Sequence, residues 1–396
     1  MPAVTIFSNV LSYLLFLVAA RWLDRAVYGE TLALLNLVLI ATIPSFAIQT
    51  AIARRTATGT VPAGAVRASL AVGTACGLLI ALCAPLIAGF LHIDSYVGVY
   101  GGALAVPALA VLGLAQGAAQ GLHRWLWLCI ALGLMGVGRV GGGILGLALT
   151  HNSSGALVGT GIGLWVAAAV CLRPSITMSY ERPVERGSGI GRYLHEIAHA
   201  AHAHGAFLLL SSLDLVLARN ILSPDDAGLY AAGAVIFKAA LWLPQPVSLM
   251  LFADLSIVDK HRATVRRGLL MVGGLVAVTI LVCAVLGDVV AFIVGGTNYP
   301  DLGSEAWLFA VAGGGMALTQ FALYGGLSML RRRRLAYLWA CIVGEIVVSQ
   351  VLGVGTTPRA FITAIAILSA LTATAMMVVS VRHDPVREPP EPGEFD

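Results

Sequence analysis

The sequence is poor in charge. Only 11% of its 396 residues are Asp, Glu, Lys or Arg, whereas 58% are hydrophobic, and the mean hydropathy is +0.89. Soluble domains carry about 25% charged residues, so this composition excludes a soluble globular protein. No polar stretch is long enough to form a separate soluble domain, which argues against an enzyme with a catalytic domain outside the membrane. The sequence therefore predicts an integral membrane protein that is not an enzyme.

Cysteine is also sparse and carries no motif. The six cysteines are spread singly along the chain, and none has the C-x-x-C spacing of a metal or redox site. We therefore predict neither a disulfide framework nor a bound metal. The net charge is +4, and since it follows the membrane topology described below, it does not indicate a nucleic-acid partner.

Apolar runs of about 20 residues, enough to span a hydrocarbon core, recur along the whole chain. They predict an all-α protein of twelve transmembrane helices, near residues 3–20, 31–52, 68–91, 96–119, 125–149, 155–172, 203–220, 229–252, 268–295, 305–329, 335–354 and 360–380. With this topology, 18 of the 24 Lys and Arg residues lie in loops on one side and four on the other. Positive loops face the cytoplasm, so both termini are predicted to be cytoplasmic. The excess of Arg over Lys suggests a bacterial source, hence the bacterial cytoplasmic membrane.

Two stretches about two hundred residues apart resemble each other. Leu17 to Arg21 ends an apolar run and a second run follows Gly29; Leu215 to Arg219 and Gly228 repeat the pattern. Prolines then follow, which we take as hinge or gating candidates together with the two glycines: Pro44 in the first copy, and Pro244 and Pro246 in the second. Duplicated halves with interrupted helices are typical of transporters.

Each half holds six helices, an even number, so the two copies should be parallel repeats about an axis along the membrane normal. We predict a first bundle over 1–172, a cytoplasmic linker over 173–192 and a second bundle over 193–381. Residues 382–396 are rich in Pro and Glu and are predicted to be a disordered cytoplasmic tail.

Three segments resemble a known family. Ala20-Arg21-Trp22-Leu23 leading into Tyr28-Gly29 is similar to the opening helix pair of polysaccharide (O-antigen type) flippases. Residues 213–254 resemble the seventh and eighth helices of that family, and Leu286 to Tyr299 resembles its ninth-helix exit. The resemblance implies the multidrug/oligosaccharidyl-lipid/polysaccharide (MOP) exporter superfamily. The peptidoglycan-precursor flippases are a weaker match, because this chain lacks their two extra helices.

That resemblance implies two six-helix bundles around a central cavity that alternates between the two sides. The expected activity is flipping of a polyprenyl-diphosphate-linked oligosaccharide for polysaccharide biosynthesis. The expected partners are this substrate and membrane lipids, with polysaccharide polymerase and glycosyltransferases nearby, and the unit is expected to be a monomer. No cofactor is expected beyond a possible coupling ion, H⁺ or Na⁺.

Ionisable residues inside the membrane mark candidate sites, because each costs about 2.5–3.5 kcal/mol to insert. Four candidates stand out inside predicted helices: Arg139, Asp214, Lys238 and Glu345. With Arg21, they are our candidates for lining the cavity, where cations could replace the hydration of a diphosphate. Structural explanations stay open: Lys238 could neutralise Asp214, Glu345 could hold Arg139, and Arg21 could extend to lipid headgroups.

Two other functions compete with a flippase. His195-Glu196-Ile197-Ala198-His199 fits the H-E-x-x-H pattern of zinc proteases, but the third ligand is missing and the local sequence is rich in histidine. A cation-coupled drug exporter of the MATE type would share the fold and use the intramembrane carboxylates Asp214 and Glu345.

Overall fold

The chain is helical throughout the part that the computed structural model describes, residues 14–93, 95–180, 189–245, 247, 261–327, 333–351 and 357–382. The first half contains α1 (14–22), α2 (Arg25–Ile40), α3 (Ile43–Thr58), α4 (Ala65–Leu82), α5 (Ala84–Leu91), α6 (Val97–Gly121), α7 (Trp125–Thr150) and α8 (Ser153–Ser179). The second half contains α9 (Gly189–Ile221), α10 (Pro224–Trp242), α11 (His261–Val285), α12 (Gly287–Gly295), a 3₁₀ turn (Pro300–Glu305), α13 (Ala306–Leu327), α14 (Arg333–Ile346) with a π turn (Val347–Val351), and α15 (Pro358–Arg382).

These helices form twelve transmembrane segments, because α2 with α3, α4 with α5, and α11 with α12 are each one bent segment. All twelve predicted runs coincide with helix where the structure describes them. Within the described residues, eight helical stretches are long and apolar enough to cross a membrane. The protein is a multi-pass membrane protein.

The helices on either side of the junction extend into the predicted linker over 173–192. Helix α8 continues through Pro174 to Ser179, and α9 begins at Gly189. Transmembrane helices can extend past the membrane surface, since their backbone hydrogen bonds do not depend on lipid. Residues 181–188 lie outside the described part, as does the predicted disordered tail except for Arg382.

The two halves repeat the same packing. In the first half, α4 and α8 both pack along α6; in the second half, α11 and α15 both pack along α13. Across the interface between the halves, α2 packs against α10, and α2 and α3 pack against α9. The predicted duplication of a six-helix bundle is therefore present in the tertiary structure.

Helix breaks occur at the predicted prolines. The second transmembrane segment is interrupted at Ala41 and Thr42, and Pro44 lies in the first turn of the helix that resumes there, where proline is tolerated. In the second half, α10 ends at Trp242, immediately before Pro244. Pro246 lies outside the described residues.

We define two faces by the arginines at the helix ends. The Arg21 face carries the loops 23–24, 92–96, 151–152, 222–223 and 296–299. The Arg55 face carries the loops 59–64 and 122–124, and the end of α8. The sequence predicts the Arg21 face to be outside.

Glycines allow α7 and α8 to approach closely. A Cβ at Gly142 would lie 2.2 Å from the Gly159 carbonyl oxygen, and one at Gly146 would lie 2.0 Å from that of Gly155. Such backbone contact is how helices associate inside lipid, where burying apolar side chains gains little.

We expect Gly142→Ala to lower the melting temperature of the purified protein, because backbone atoms cannot yield to the added methyl group. Overpacking of this kind costs about 1–3 kcal/mol. Gly141→Ala is the matched control: a Cβ at Gly141 meets nothing within 4 Å, so only the gain in helix propensity remains. Equal melting temperatures for the two variants would contradict this account of the helix pair.

Candidate functional site

A buried carboxylate lies in α9. Asp214 is 3% exposed, and its Oδ2 accepts a hydrogen bond from the hydroxyl of Tyr230 at 3.0 Å. The tyrosine ring is held between Phe309 and Phe361, with ring centroids 5.3 and 5.1 Å away. Within the described residues, the other carboxylate oxygen of Asp214, Oδ1, has no hydrogen-bond partner. A buried oxygen without a partner is costly, so this carboxylate does not contribute to stability by packing alone.

A second carboxylate faces the same small cavity. Glu345 lies near the end of α14, just before the π turn Val347–Val351, and is 3% exposed. Its Oε1 also has no hydrogen-bond partner among the residues that the structure describes. The cavity has a volume of about 10 Å³ and is lined by both carboxylates, Ser369 and Thr372 among others. That volume is close to the least that holds one water molecule or small ion.

Lys238 lies on α10, two turns beyond Tyr230. It is 5% exposed, and its Nζ donates to the backbone carbonyl of Ser211 at 3.4 Å. Asp214 and Arg139 are the charged groups that act on it electrostatically. No ion pair within 4.0 Å joins Lys238 to Asp214 in the part of the chain that the structure describes. The positive charge is therefore close to the carboxylate but not in contact with it.

Arg139 brings a second cation to this region from the other half. It lies on α7, and its charge acts on Lys238 of α10. The negative charge of Asp214 acts electrostatically on Glu345. Within the described residues, the structure therefore groups the two carboxylates with each other and does not pair Glu345 with Arg139. Four of the five candidate cavity residues thus form one electrostatic group.

The other candidates lie elsewhere. Arg21 is exposed at the Arg21 face, and its Nη2 donates to the Ile293 carbonyl of the second half at 3.1 Å. Gly29 and Gly228 lie inside α2 and α10 and meet each other: a Cβ at Gly29 would be 2.9 Å from the Gly228 nitrogen. Their position allows two helices to cross closely.

Glu196 of the H-E-x-x-H pattern has a structural partner. Its two oxygens accept from Nε and Nη2 of Arg55, each at 3.0 Å. Tyr193, one turn earlier, lies under this guanidinium at 5.7 Å and shares a 2.6 Å hydrogen bond with Ser69. These contacts join α9 of the second half to α3 and α4 of the first at the Arg55 face, which explains the glutamate without zinc chemistry.

The sequence analysis did not select two residues that take part in these contacts, Tyr230 and Arg55. Tyr230 lies eight residues before Lys238, and that spacing places both on one helix face, so it could have been selected. The pairing of Arg55 with Glu196 links residues 141 positions apart, and no local pattern predicts it.

Solved structures with this fold are transporters. The lipid II flippase MurJ in an inward closed conformation matches with a TM-score of 0.73 at 10% identity, over 97% of this chain and 88% of that one. A multidrug resistance MATE family transporter of the MOP superfamily, in an inward-facing conformation, gives 0.67 at 11% identity, over 94% and 93%. A eukaryotic MATE transporter gives 0.58 at 13% identity, over 95% and 88%.

These likenesses show the fold: two six-helix bundles arranged as in MurJ and the MATE transporters, as predicted. The sequence led us to expect that the peptidoglycan-precursor flippases would match less well than the polysaccharide flippases. The lipid II flippase MurJ nevertheless has the highest TM-score of these three structures. No protein-family model matches the sequence, and no curated protein matches it.

Proposed function

We propose that this protein translocates a lipid-linked oligosaccharide with a polyprenyl-diphosphate headgroup by alternating access. The fold, which it shares with a lipid II flippase and with MATE transporters, supports movement of one bundle against the other. Such a substrate needs a path for its charged headgroup while its chain stays in the bilayer.

The observation that carries the proposal is that two cations from opposite halves, Arg139 and Lys238, act on each other electrostatically. A buried cation without a carboxylate in contact is costly inside a membrane. A diphosphate between the two would offset that cost. The Arg fork bonds two oxygens at once, and the Lys ammonium acts as a point charge.

The carboxylate pair supports a coupling ion. Asp214 and Glu345 line one cavity of about 10 Å³, and each has an oxygen without a partner. Two carboxylates that share a site do not both ionise readily, so a shared proton or a Na⁺ between them relieves the repulsion. Ion binding here is next to Lys238, which connects it to the headgroup site.

The proposed setting is the bacterial cytoplasmic membrane, with the Arg21 face outside and both termini in the cytoplasm. This orientation follows from the excess of basic residues in the loops on the Arg55 side. The translocated oligosaccharide would then serve polysaccharide biosynthesis, together with glycosyltransferases and a polymerase, and the protein would act as a monomer.

A cation-coupled drug exporter is the second candidate. It is favoured by one observation, the buried carboxylates Asp214 and Glu345, since an organic cation would bind a carboxylate cavity. The positive charges of Arg139 and Lys238, which act on each other electrostatically, would repel such a cargo, which is why we place the anionic substrate first.

The test uses the full chain in proteoliposomes containing a fluorescent polyprenyl-diphosphate oligosaccharide, with the label quenched from outside. We expect outer-leaflet exposure to exceed that of empty vesicles, and Arg139→Gln to reduce the rate by roughly 10- to 100-fold, as for loss of one charge-assisted contact. A polyprenyl oligosaccharide without phosphate should not be translocated.

Arg67→Gln is the matched control, because it removes an exposed arginine and should leave the rate unchanged. A rate equal to that of empty vesicles, combined with uptake of a cationic dye, would contradict the flippase and favour the exporter.

A further inference from the structure

The repeated arginines reach across the interface between the halves. Arg21 of α1 donates from Nη2 to the Ile293 carbonyl of α12 at 3.1 Å. Arg219 of α9 donates from Nε to the Leu91 carbonyl of α5 at 3.1 Å, and from Nη2 to the His92 carbonyl at 3.4 Å. The first helix of each half thus binds the third transmembrane segment of the other half.

All three acceptors are carbonyls in the last turn or the cap of a helix. Helix α5 ends at Leu91, where His92 turns into the left-handed region, and α12 ends at Gly295. The last carbonyls of a helix lack internal partners and carry partial negative charge. An arginine is well suited to them, because its donors satisfy the oxygens and its charge opposes the dipole.

Neighbouring side chains repeat this cross-interface pattern. Asn220 donates from Nδ2 to the Phe90 carbonyl at 2.6 Å, and Asn298 donates to the Ala20 carbonyl at 3.2 Å. Arg25 donates to the Asn298 carbonyl at 2.8 Å and lies over the Tyr299 ring at 5.4 Å. Burial raises the pKa of the Tyr299 phenol, so this ring stays neutral beneath the cation.

We infer that Arg21 and Arg219 are reciprocal clamps that hold the Arg21 face closed. Each ties its own half to the helix end of the other half, so the two contacts must break together when the face opens. Lipid headgroups would explain arginines at helix ends, but Arg219 is only 7% exposed. The inference rests on the proposed function only in that the halves move relative to each other.

Spin-label distances test the clamps on the full chain, with its six native cysteines replaced. Labels at Trp22 and Phe292 span the Arg21 contact, and labels at Leu86 and Asp225 span the Arg219 contact; all four residues are exposed. Arg21→Met and Arg219→Met remove the donors and keep an unbranched, flexible side chain at each position.

Each single variant should raise the ratio of the population with open distances to the population with closed distances by roughly tenfold. The double variant should raise this ratio by roughly a hundredfold, because each clamp loses about one charge-assisted hydrogen bond. Arg359→Met is the matched control, since it removes an exposed arginine from the same predicted side and should leave both distances unchanged.

Distance distributions unchanged in the double variant would overturn the inference, as would an equal shift in Arg359→Met. The double variant Arg21→Lys/Arg219→Lys keeps both positive charges and removes the planar guanidinium groups. We expect it to close the Arg21 face only partly, because lysine cannot bond two carbonyls in a fixed plane. Failure of the proposed function is distinguishable, since it would appear as absent flipping in the unaltered protein while these distances still respond.

Discussion

Replacing Lys238 with alanine is expected to reduce translocation of the lipid-linked oligosaccharide by roughly 30- to 150-fold, the loss of one strong charge-assisted contact. Lys238 is buried and bonded to a backbone carbonyl rather than to a carboxylate, so its positive charge is available to the substrate. Lys238→Arg should retain part of the activity, because the charge stays while the geometry changes. Initial rates in the proteoliposome assay measure both variants.

A double-mutant cycle with Asp214 separates substrate binding from simple neutralisation. If Lys238 only compensated Asp214, removing both charges would restore activity, since the cost of a broken pair lies in the partner left alone. We expect Lys238→Ala/Asp214→Ala to stay inactive, because these side chains are not in direct contact and Tyr230 already bonds the carboxylate. A fully active double variant would leave Lys238 with a structural role.

A single methyl group at Gly228 is expected to prevent closure of the Arg21 face. A Cβ there would lie 2.0 Å from the Arg25 carbonyl oxygen, and backbone on both helices cannot yield. Overpacking costs about 1–3 kcal/mol, a roughly 5- to 150-fold shift in a conformational equilibrium. Gly228→Ala should therefore slow translocation by a factor in that range and lengthen the distance between labels at Leu86 and Asp225.

Gly274→Ala controls for helix propensity. It lies in α11, where a Cβ meets nothing within 4 Å, so it gains the same stabilisation as any glycine-to-alanine change in a helix. Gly29→Ala should have a smaller effect, because its nearest contact, the Gly228 nitrogen, is 2.9 Å away. If Gly228→Ala transports as fast as Gly274→Ala, the close crossing of α2 and α10 is not required for the cycle.

The fold was predictable because membrane physics acts on short stretches of sequence. In lipid every backbone polar group must be paired within the chain, so an apolar run of about 20 residues has few alternatives to a helix. The repeat around Arg21 and Arg219, with its prolines, then indicated two parallel halves. The exact ends were less predictable: α8 continues through Pro174, because a helix does not have to end where the membrane does.

The sequence indicates which residues are candidates for the site, and it does not indicate how they pair. Arg139, Asp214, Lys238 and Glu345 are conspicuous because charge is costly in lipid. Which of them meet depends on how α7, α9, α10 and α14 pack. Hydropathy contains no information about that packing, so the sequence left open whether Glu345 holds Arg139. The structure instead places Glu345 and Asp214 on one small cavity, and the charge of Arg139 acts on Lys238.

The sequence by itself determined a membrane protein of two duplicated helical halves with a few costly charges inside. Only the tertiary structure decided what the helix-end residues do: Arg21 and Arg219 cap helices of the opposite half, Glu196 binds Arg55, and Gly29 meets Gly228. The physical reason is range. Hydrophobic length and insertion cost act within one helix, whereas these contacts join residues more than a hundred positions apart and exist only when the halves come together.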